Sequence, residues 1–342
     1  MLTLQIVAVV LAAVMLARAL NLILLMRWYA KPKSPGEVIY LNDKRVYFTA
    51  KGNGSPTIVF EAGLGSISAE WWAIQDEMSA SARVLTYDRA GCGWSELVQG
   101  PRTSRQIALE LKGLLEALKI DPPYILVGHS QGGLYVNHFC RLFPDDVGGV
   151  VLIDPMSPDD VRFRQELLPR VYKRSGIDKS SFLRMQGWFS GFGFLRLMKP
   201  FLLRSPGLVA YRSLPPQAFR AFWNNLLTPK TPQSALNEYI QAHDPRNMVD
   251  LKTSGSFPAV PLRVLVHNAD KMRDAIVRLG DLSRDEADKV ENLWQELMRA
   301  HGTLSPQGKI VVAETGSHFI HLTQPDLVVR TIIEVVQDAS LA

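Results

Sequence analysis

The chain opens on a nearly unbroken apolar run over residues 2–26, broken by Gln5, Arg18 and Asn21, with Thr3 near its start. A helix over those positions would reach about 38 Å, enough to cross a hydrocarbon core of roughly 30 Å with Arg18 snorkelling to an interface. Trp28 and Tyr29 follow where an aromatic headgroup belt would lie. A cleaved secretory signal is the rival, but the segment lacks a basic leading region and Ala17-Arg18-Ala19 is a poor cleavage site. Residues 1–30 are therefore read as a transmembrane anchor. Arg18, Arg27, Lys31, Lys33, Lys44 and Arg45 all lie C-terminal to the main apolar stretch. The positive-inside rule then places the rest of the chain in the cytoplasm.

Beyond Pro32 and Pro35 the pattern changes to short β-rich runs alternating with helical spacing. Residues 38–41 and 46–49 predict a hairpin turned at Asn42-Asp43. Apolar runs at 57–61, 83–87, 124–128, 150–154, 263–267 and 309–313 predict strands buried on both faces. Helical recurrence appears between them, as in Ile107, Leu111, Leu114 and Leu118 within residues 104–118, and again over 325–336. This alternation implies an α/β fold, a mostly parallel sheet covered on both sides. It breaks once, over residues 155–251, where the patterning is helical throughout. The expected organisation is a core in two parts, 31–155 and 253–342, with a helical cap at 156–252 inserted between them.

Composition narrows the picture. With 342 residues, 47% of them hydrophobic and 21% charged, disordered and coiled-coil readings are excluded. A net charge of +5 without a Lys/Arg run argues against a nucleic-acid partner, and two cysteines, Cys92 and Cys140, provide neither a disulfide framework nor zinc-ligand spacing. The positive charge is uneven: residues 161–230 carry thirteen Lys/Arg against Glu166 and Asp178. Trp188, Phe189, Phe192, Phe194, Leu195, Leu197, Met198, Phe201, Leu202 and Leu203 are interleaved with it. Such a surface suits anionic lipid. The alternative is an ordinary cap with solvated basic faces and an apolar underside.

Chemistry enters at Gly128-His129-Ser130-Gln131-Gly132, a G-x-S-x-G pentapeptide fed by the strand ending at residue 128 and followed by a helix expected over 133–143. That strand-turn-helix context holds a serine hydroxyl at the top of a sheet. A serine hydroxyl needs a base to take its proton, and histidine is the natural one. Of His129, His138, His243, His267, His301, His318 and His321, the best placed is His318, on the loop after the last strand and before the C-terminal helix. His321 shares that loop, further from the strand end.

Together these segments resemble the α/β-hydrolase superfamily, in the branch with Tyr87-Asp88-Arg89-Ala90-Gly91-Cys92-Gly93-Trp94-Ser95 after the fourth strand and Gly316-Ser317-His318-Phe319-Ile320-His321-Leu322 near the end. The likeness covers about residues 36–154 and 258–338, with the insertion matching the variable lid between strands six and seven. It implies Ser130 as nucleophile and His318 as base, with Asp88 and Arg89 fixing a turn rather than reacting. It also implies two backbone N–H groups as an oxyanion hole. Gln131 supplies one; Leu64, in Glu61-Ala62-Gly63-Leu64-Gly65, is the candidate for the other. Ala62 stands where the family more often has histidine. Two aspartates could orient the base. Asp154 closes its strand directly and is favoured; Asp270 follows the seventh strand by three residues and could instead be a helix N-cap.

The expected activity is a membrane-anchored serine hydrolase acting on carboxylic esters of a hydrophobic acyl or lipid substrate, with no cofactor and no metal. A serine nucleophile argues against epoxide or haloalkane chemistry. A non-hydrolytic receptor or scaffold of the same fold is the reading from another class, and acyl transfer is the other enzymatic one.

Overall fold

The computed structural model describes residues 1–29, 36–190, 198–204, 206–315 and 317–341. Lys31, Pro32, Lys33, Pro35, Phe192, Phe194, Leu195, Leu197 and Gly316 therefore lie outside the described residues.

The expected hairpin forms as β1 (Glu37–Leu41) and β2 (Lys44–Lys51), antiparallel, with Asn42 and Asp43 both at positive φ. Two central residues in that region make the turn whose twist matches paired strands. The strands β3 (Thr57–Glu61), β4 (Arg83–Tyr87), β5 (Tyr124–His129), β6 (Val147–Ile153), β7 (Leu262–Val266) and β8 (Gly308–Val312) complete one sheet in the order β1-β2-β4-β3-β5-β6-β7-β8. From β4 through β8 every neighbouring pair is parallel. Alternate side chains serve opposite faces. Val59, Leu126 and Leu152 join a cluster under the helices Ser104–Ala117, Gln131–Leu142 and Arg284–Gly302, whereas Ile58, Phe60, Ile125, Val127 and Ile153 pack against Pro325–Ser340.

One strand departs from expectation. β8 leaves Ile310 and Val312 exposed because it is the sheet edge, hydrogen-bonded to β7 on one side. Two helices, Ala269–Gly280 and Arg284–Gly302, join β7 to β8; the first is capped by Asn268 rather than by Asp270, the N-cap considered from the sequence, and the second was not foreseen from the sequence. The second begins with a capping box between Ser283 and Glu286 and buries Val290, Leu293 and Leu297 at helical spacing, a signal the chain carried openly. Between β6 and β7, the described residues form helices from Val161–Glu166 to Pro245–Thr253 and no strand.

The first helix, Leu2–Tyr29, is not a free tether. Residues 3–20 are exposed, a length of about 27 Å. Below them Asn21 donates its side-chain N–H to the carbonyl of Ser190, and Leu25 is buried with Trp223 and Leu227 of the inserted region. Trp28, expected in a headgroup belt, packs its ring 5.8 Å from Trp94. Leu25→Ser should therefore cost roughly 2–4 kcal/mol and speed proteolysis within residues 198–230 in detergent-solubilised protein. Unchanged cleavage and thermal midpoint would show that the helix end does not brace the inserted region.

Candidate active site

β5 runs straight into Ser130, whose backbone sits at φ +53°, ψ −123°, before the helix Gln131–Leu142 starts. Such a conformation costs a non-glycine residue on the order of 1–3 kcal/mol and persists because its surroundings hold it. Ser130 donates its N–H to Ile153 O at 3.0 Å, and its own carbonyl accepts from Met156 N at 2.8 Å. The flanking glycines follow from close backbone approach. A Cβ on Gly128 would come within 2.8 Å of Gly132 O, and one on Gly132 within 2.5 Å of Glu61 O.

The turn presents Ser130 Oγ 3.0 Å from His318 Nε2, across 188 residues of sequence. On the other side of the ring, Nδ1–H donates to Asp154 Oδ2 at 2.6 Å. Asp154 directly follows β6 and is fully buried, while His318 remains partly exposed. His129, beside the serine, donates from Nε2 to the His318 carbonyl at 3.0 Å and so braces that loop. Burial, followed by the neighbouring His321 and His318, holds the His129 pKa well below the ordinary value, so the ring is neutral.

The competing residues lie elsewhere. His321 faces Glu70 at 3.2 Å and stacks on Trp71; burial and then His318 lower its pKa to about 3. Asp270 lies in the first turn of Ala269–Gly280, with Asn268 as the N-cap, and its exposed carboxylate pairs with Arg273. His138 bonds to Ser104, His243 to the Tyr239 carbonyl, and His301 is buried. Asp88 accepts from Ser68 N, Ser68 Oγ and Trp94 N, which fixes the turn after β4. Leu64 follows Gly63, where a Cβ would come 3.5 Å from Ser130 Cβ, so this loop lies against the serine. Gln131 is the first residue of its helix, where N–H groups have no partner within the helix. Among the described residues no group of three His, Cys, Asp or Glu is arranged to hold a metal ion.

Sequence reasoning missed the surroundings of Asp154. His267, just past β7, donates from Nδ1 to Asp154 at 2.9 Å and from Nε2 to Glu291 at 3.0 Å; Trp294 Nε1 adds a bond to Asp154 Oδ1 at 3.3 Å. Both ring nitrogens face carboxyl oxygens, an arrangement that favours the doubly protonated ring. Burial disfavours that charge, but Asp154 and Glu291 outweigh it and push the His267 pKa up to about 10. Burial likewise opposes ionisation of Asp154, and His267 followed by His318 overcomes it, holding the carboxyl well below its usual range. The available signal was positional: His267 and Asp154 follow the same ends of two adjacent parallel strands.

A family model described as the alpha/beta hydrolase family matches residues 58–331. The chain belongs to that family. It is 38% identical over 113 residues to the protein YqjL of Bacillus subtilis, covering 33% of this chain and 45% of that one, so it spans less than half the length of that relative. An AB hydrolase superfamily protein of Gibberella zeae is 23% identical over 296 residues, covering 82% of this chain and 87% of that one. A solved thermophilic esterase from Thermogutta terrifontis overlays with a TM-score of 0.59 at 21% identity, covering 90% of this chain and 99% of that one. The esterase likeness speaks to the fold.

The charge on His267 has a sign that stability measurements can read. Its pKa lies above the ordinary 6.5, so its contribution is full below about pH 6.5 and is lost as the pH rises through about 10. The gap in thermal midpoint between wild type and His267→Gln should be widest near pH 6 and narrow toward pH 10. A pH-independent gap would mean that the native imidazole is neutral.

Proposed function

We propose that this α/β-hydrolase family member is a membrane-anchored serine hydrolase that cleaves carboxylic esters of hydrophobic acyl or lipid compounds. One observation carries the reading: His318 bridges Ser130 Oγ at 3.0 Å and a buried carboxylate, Asp154, at 2.6 Å. In this reading His318 Nε2 accepts the Ser130 proton as Oγ attacks the ester carbonyl, while Asp154 holds the Nδ1–H tautomer and stabilises the imidazolium. The N–H groups of Leu64 and Gln131 receive the charge that develops on the carbonyl oxygen. His318 then protonates the leaving alkoxide. Water, deprotonated by the same nitrogen, releases the acid from the acyl-enzyme.

Two features support a lipid substrate. Phe182, Met185, Trp188 and Phe189 on the helix Ser180–Ser190 point their apolar surface outward, with exposed Arg184 among them. That helix ends at Ser190, the residue to which Asn21 of the first helix is bonded, so the exposed aromatics lie beside the emerging span. A cleft lined by Leu24, Arg27, Trp28 and Arg220 opens at the same junction and pairs guanidinium groups with an apolar wall. Aromatic rings and cations at one level suit an anionic bilayer surface. The packing of Leu25 under Trp223 and Leu227 supports an anchor that is retained rather than cleaved. Arg27 at the end of the span supports a cytoplasmic catalytic domain.

A fluorophosphonate probe should label the wild type and fail on Ser130→Ala. Asp154→Asn should lower kcat by on the order of 10⁴, whereas Asp270→Asn should leave it within about threefold, since surface changes away from the site cost little. Equal activity of Asp154→Asn and wild type would remove the assigned acid. Hydrolysis of acyl lipids in anionic vesicles should exceed that of short soluble esters, and Trp188→Ala should depress the vesicle rate selectively; the reverse preference would end the lipid assignment.

A further inference from the structure

The Arg89 guanidinium does more than fix the turn after β4. All five N–H donors are used: Nη1 to Glu61 Oε1 (2.7 Å) and Ala62 O (2.6 Å), Nη2 to Gly63 O (2.7 Å) and Glu238 Oε2 (2.9 Å), and Nε to Glu238 Oε1 (3.2 Å). Arg89, Glu61 and Glu238 are buried. Glu238 belongs to the inserted helix Lys230–Ala242, so the cation joins that region to the loop after β3.

The Gly63 carbonyl shares its peptide unit with the Leu64 N–H. In a trans peptide the two point in opposite directions, so fixing the oxygen against Arg89 fixes where the N–H is aimed. A cation on that oxygen also polarises the unit and strengthens its N–H as a donor. The residue that carries the second candidate donor is tied to the same carboxylate through its side chain. Gln131 Nε2 donates to Tyr135 Oη at 2.6 Å, and that hydroxyl donates to Glu238 Oε2 at 3.3 Å. A further inserted residue, Asn225, donates to Gly65 O at 3.0 Å, so the loop is gripped from two inserted helices.

We infer that Glu238 is a positioning residue for the oxyanion hole, acting through Arg89 on the Leu64 N–H and through Tyr135 on the side chain of Gln131, so that the Leu64 donor is aligned only while the inserted helix is seated. This rests on the serine-hydrolase reading above and deepens it. The cap is then a part of the transition-state machinery as well as a cover over the substrate. Glu238→Gln keeps the volume and the hydrogen-bonding outline while removing the charge that holds the guanidinium, and Tyr135→Phe cuts the Gln131 branch alone.

The experiment uses detergent-solubilised full-length protein, with a p-nitrophenyl ester as substrate, an acyl trifluoromethyl ketone as inhibitor, and hydrogen–deuterium exchange. Loss of a whole oxyanion donor costs about 10²–10³ in kcat; misalignment by Glu238→Gln should cost about tenfold or more, with KM within about threefold and the inhibitor weakened in proportion to kcat. Exchange should rise in the peptides around residues 61–66 and 130–133. Tyr135→Phe should raise exchange around 130–133 only and lower kcat by less, which tests the link even where Glu238→Gln fails to fold. Wild-type exchange and wild-type kcat in both variants would overturn the proposal, as would a loss confined to KM. If the wild type neither hydrolyses the ester nor accepts a fluorophosphonate, the hydrolase reading fails, and the exchange data still decide whether Glu238 holds the two loops.

Discussion

A single imidazole joins the ends of two neighbouring strands. His318 reaches Ser130 with one nitrogen and Asp154 with the other, so both contacts depend on the register that sets the ends of β5 and β6 side by side. A buried carboxylate can orient a histidine in this way only if it stays ionised, and isolation from water works against that. The protein meets the difficulty with a second histidine. His267, clamped between Asp154 and Glu291, places a fixed positive charge behind the carboxylate. Buried ion pairs are poor sources of net stability, because desolvation offsets most of their attraction. Here the group sets a charge state and an orientation, which explains why four titratable side chains are gathered where an apolar core would pack as well.

The same principle recurs on the other side of the serine. Arg89 is buried between Glu61 and Glu238 and directs two of its N–H groups to the main chain of the loop after β3. In the proposed reading, backbone donors that face a substrate cannot also be held by sheet hydrogen bonds. Their carbonyl sides have to be held instead, and a guanidinium with a planar fork of donors does this with little freedom left over.

The inserted helices touch both the first helix and the core beside the serine. Trp223 and Leu227 cover Leu25 near the base of the long apolar helix, while Glu238, one helix further on, grips Arg89 in the core. A helical layer that touches both is mechanically placed to relate what happens at the outer helix to the geometry around the serine. Its outward aromatics, Phe182 and Trp188 among them, are the side chains such a layer would otherwise bury.

Local patterning was enough to read the parallel sheet, the hairpin at Asn42-Asp43, the serine turn and the break in alternation over the insertion, because strand periodicity, turn chemistry and glycine close approach are properties of short segments. Ser130 and His318 were legible for the same reason, each marked by its own neighbours in the chain. Asp154 and Asp270 could not be separated that way, since both follow strands and a carboxylate's partner is set by which loops meet in space. The contacts of His267, Glu291, Arg89 and Glu238 were beyond reach for a related reason: they span 24 to 149 residues and exist only after the sheet, the inserted helices and the terminal loop have packed together.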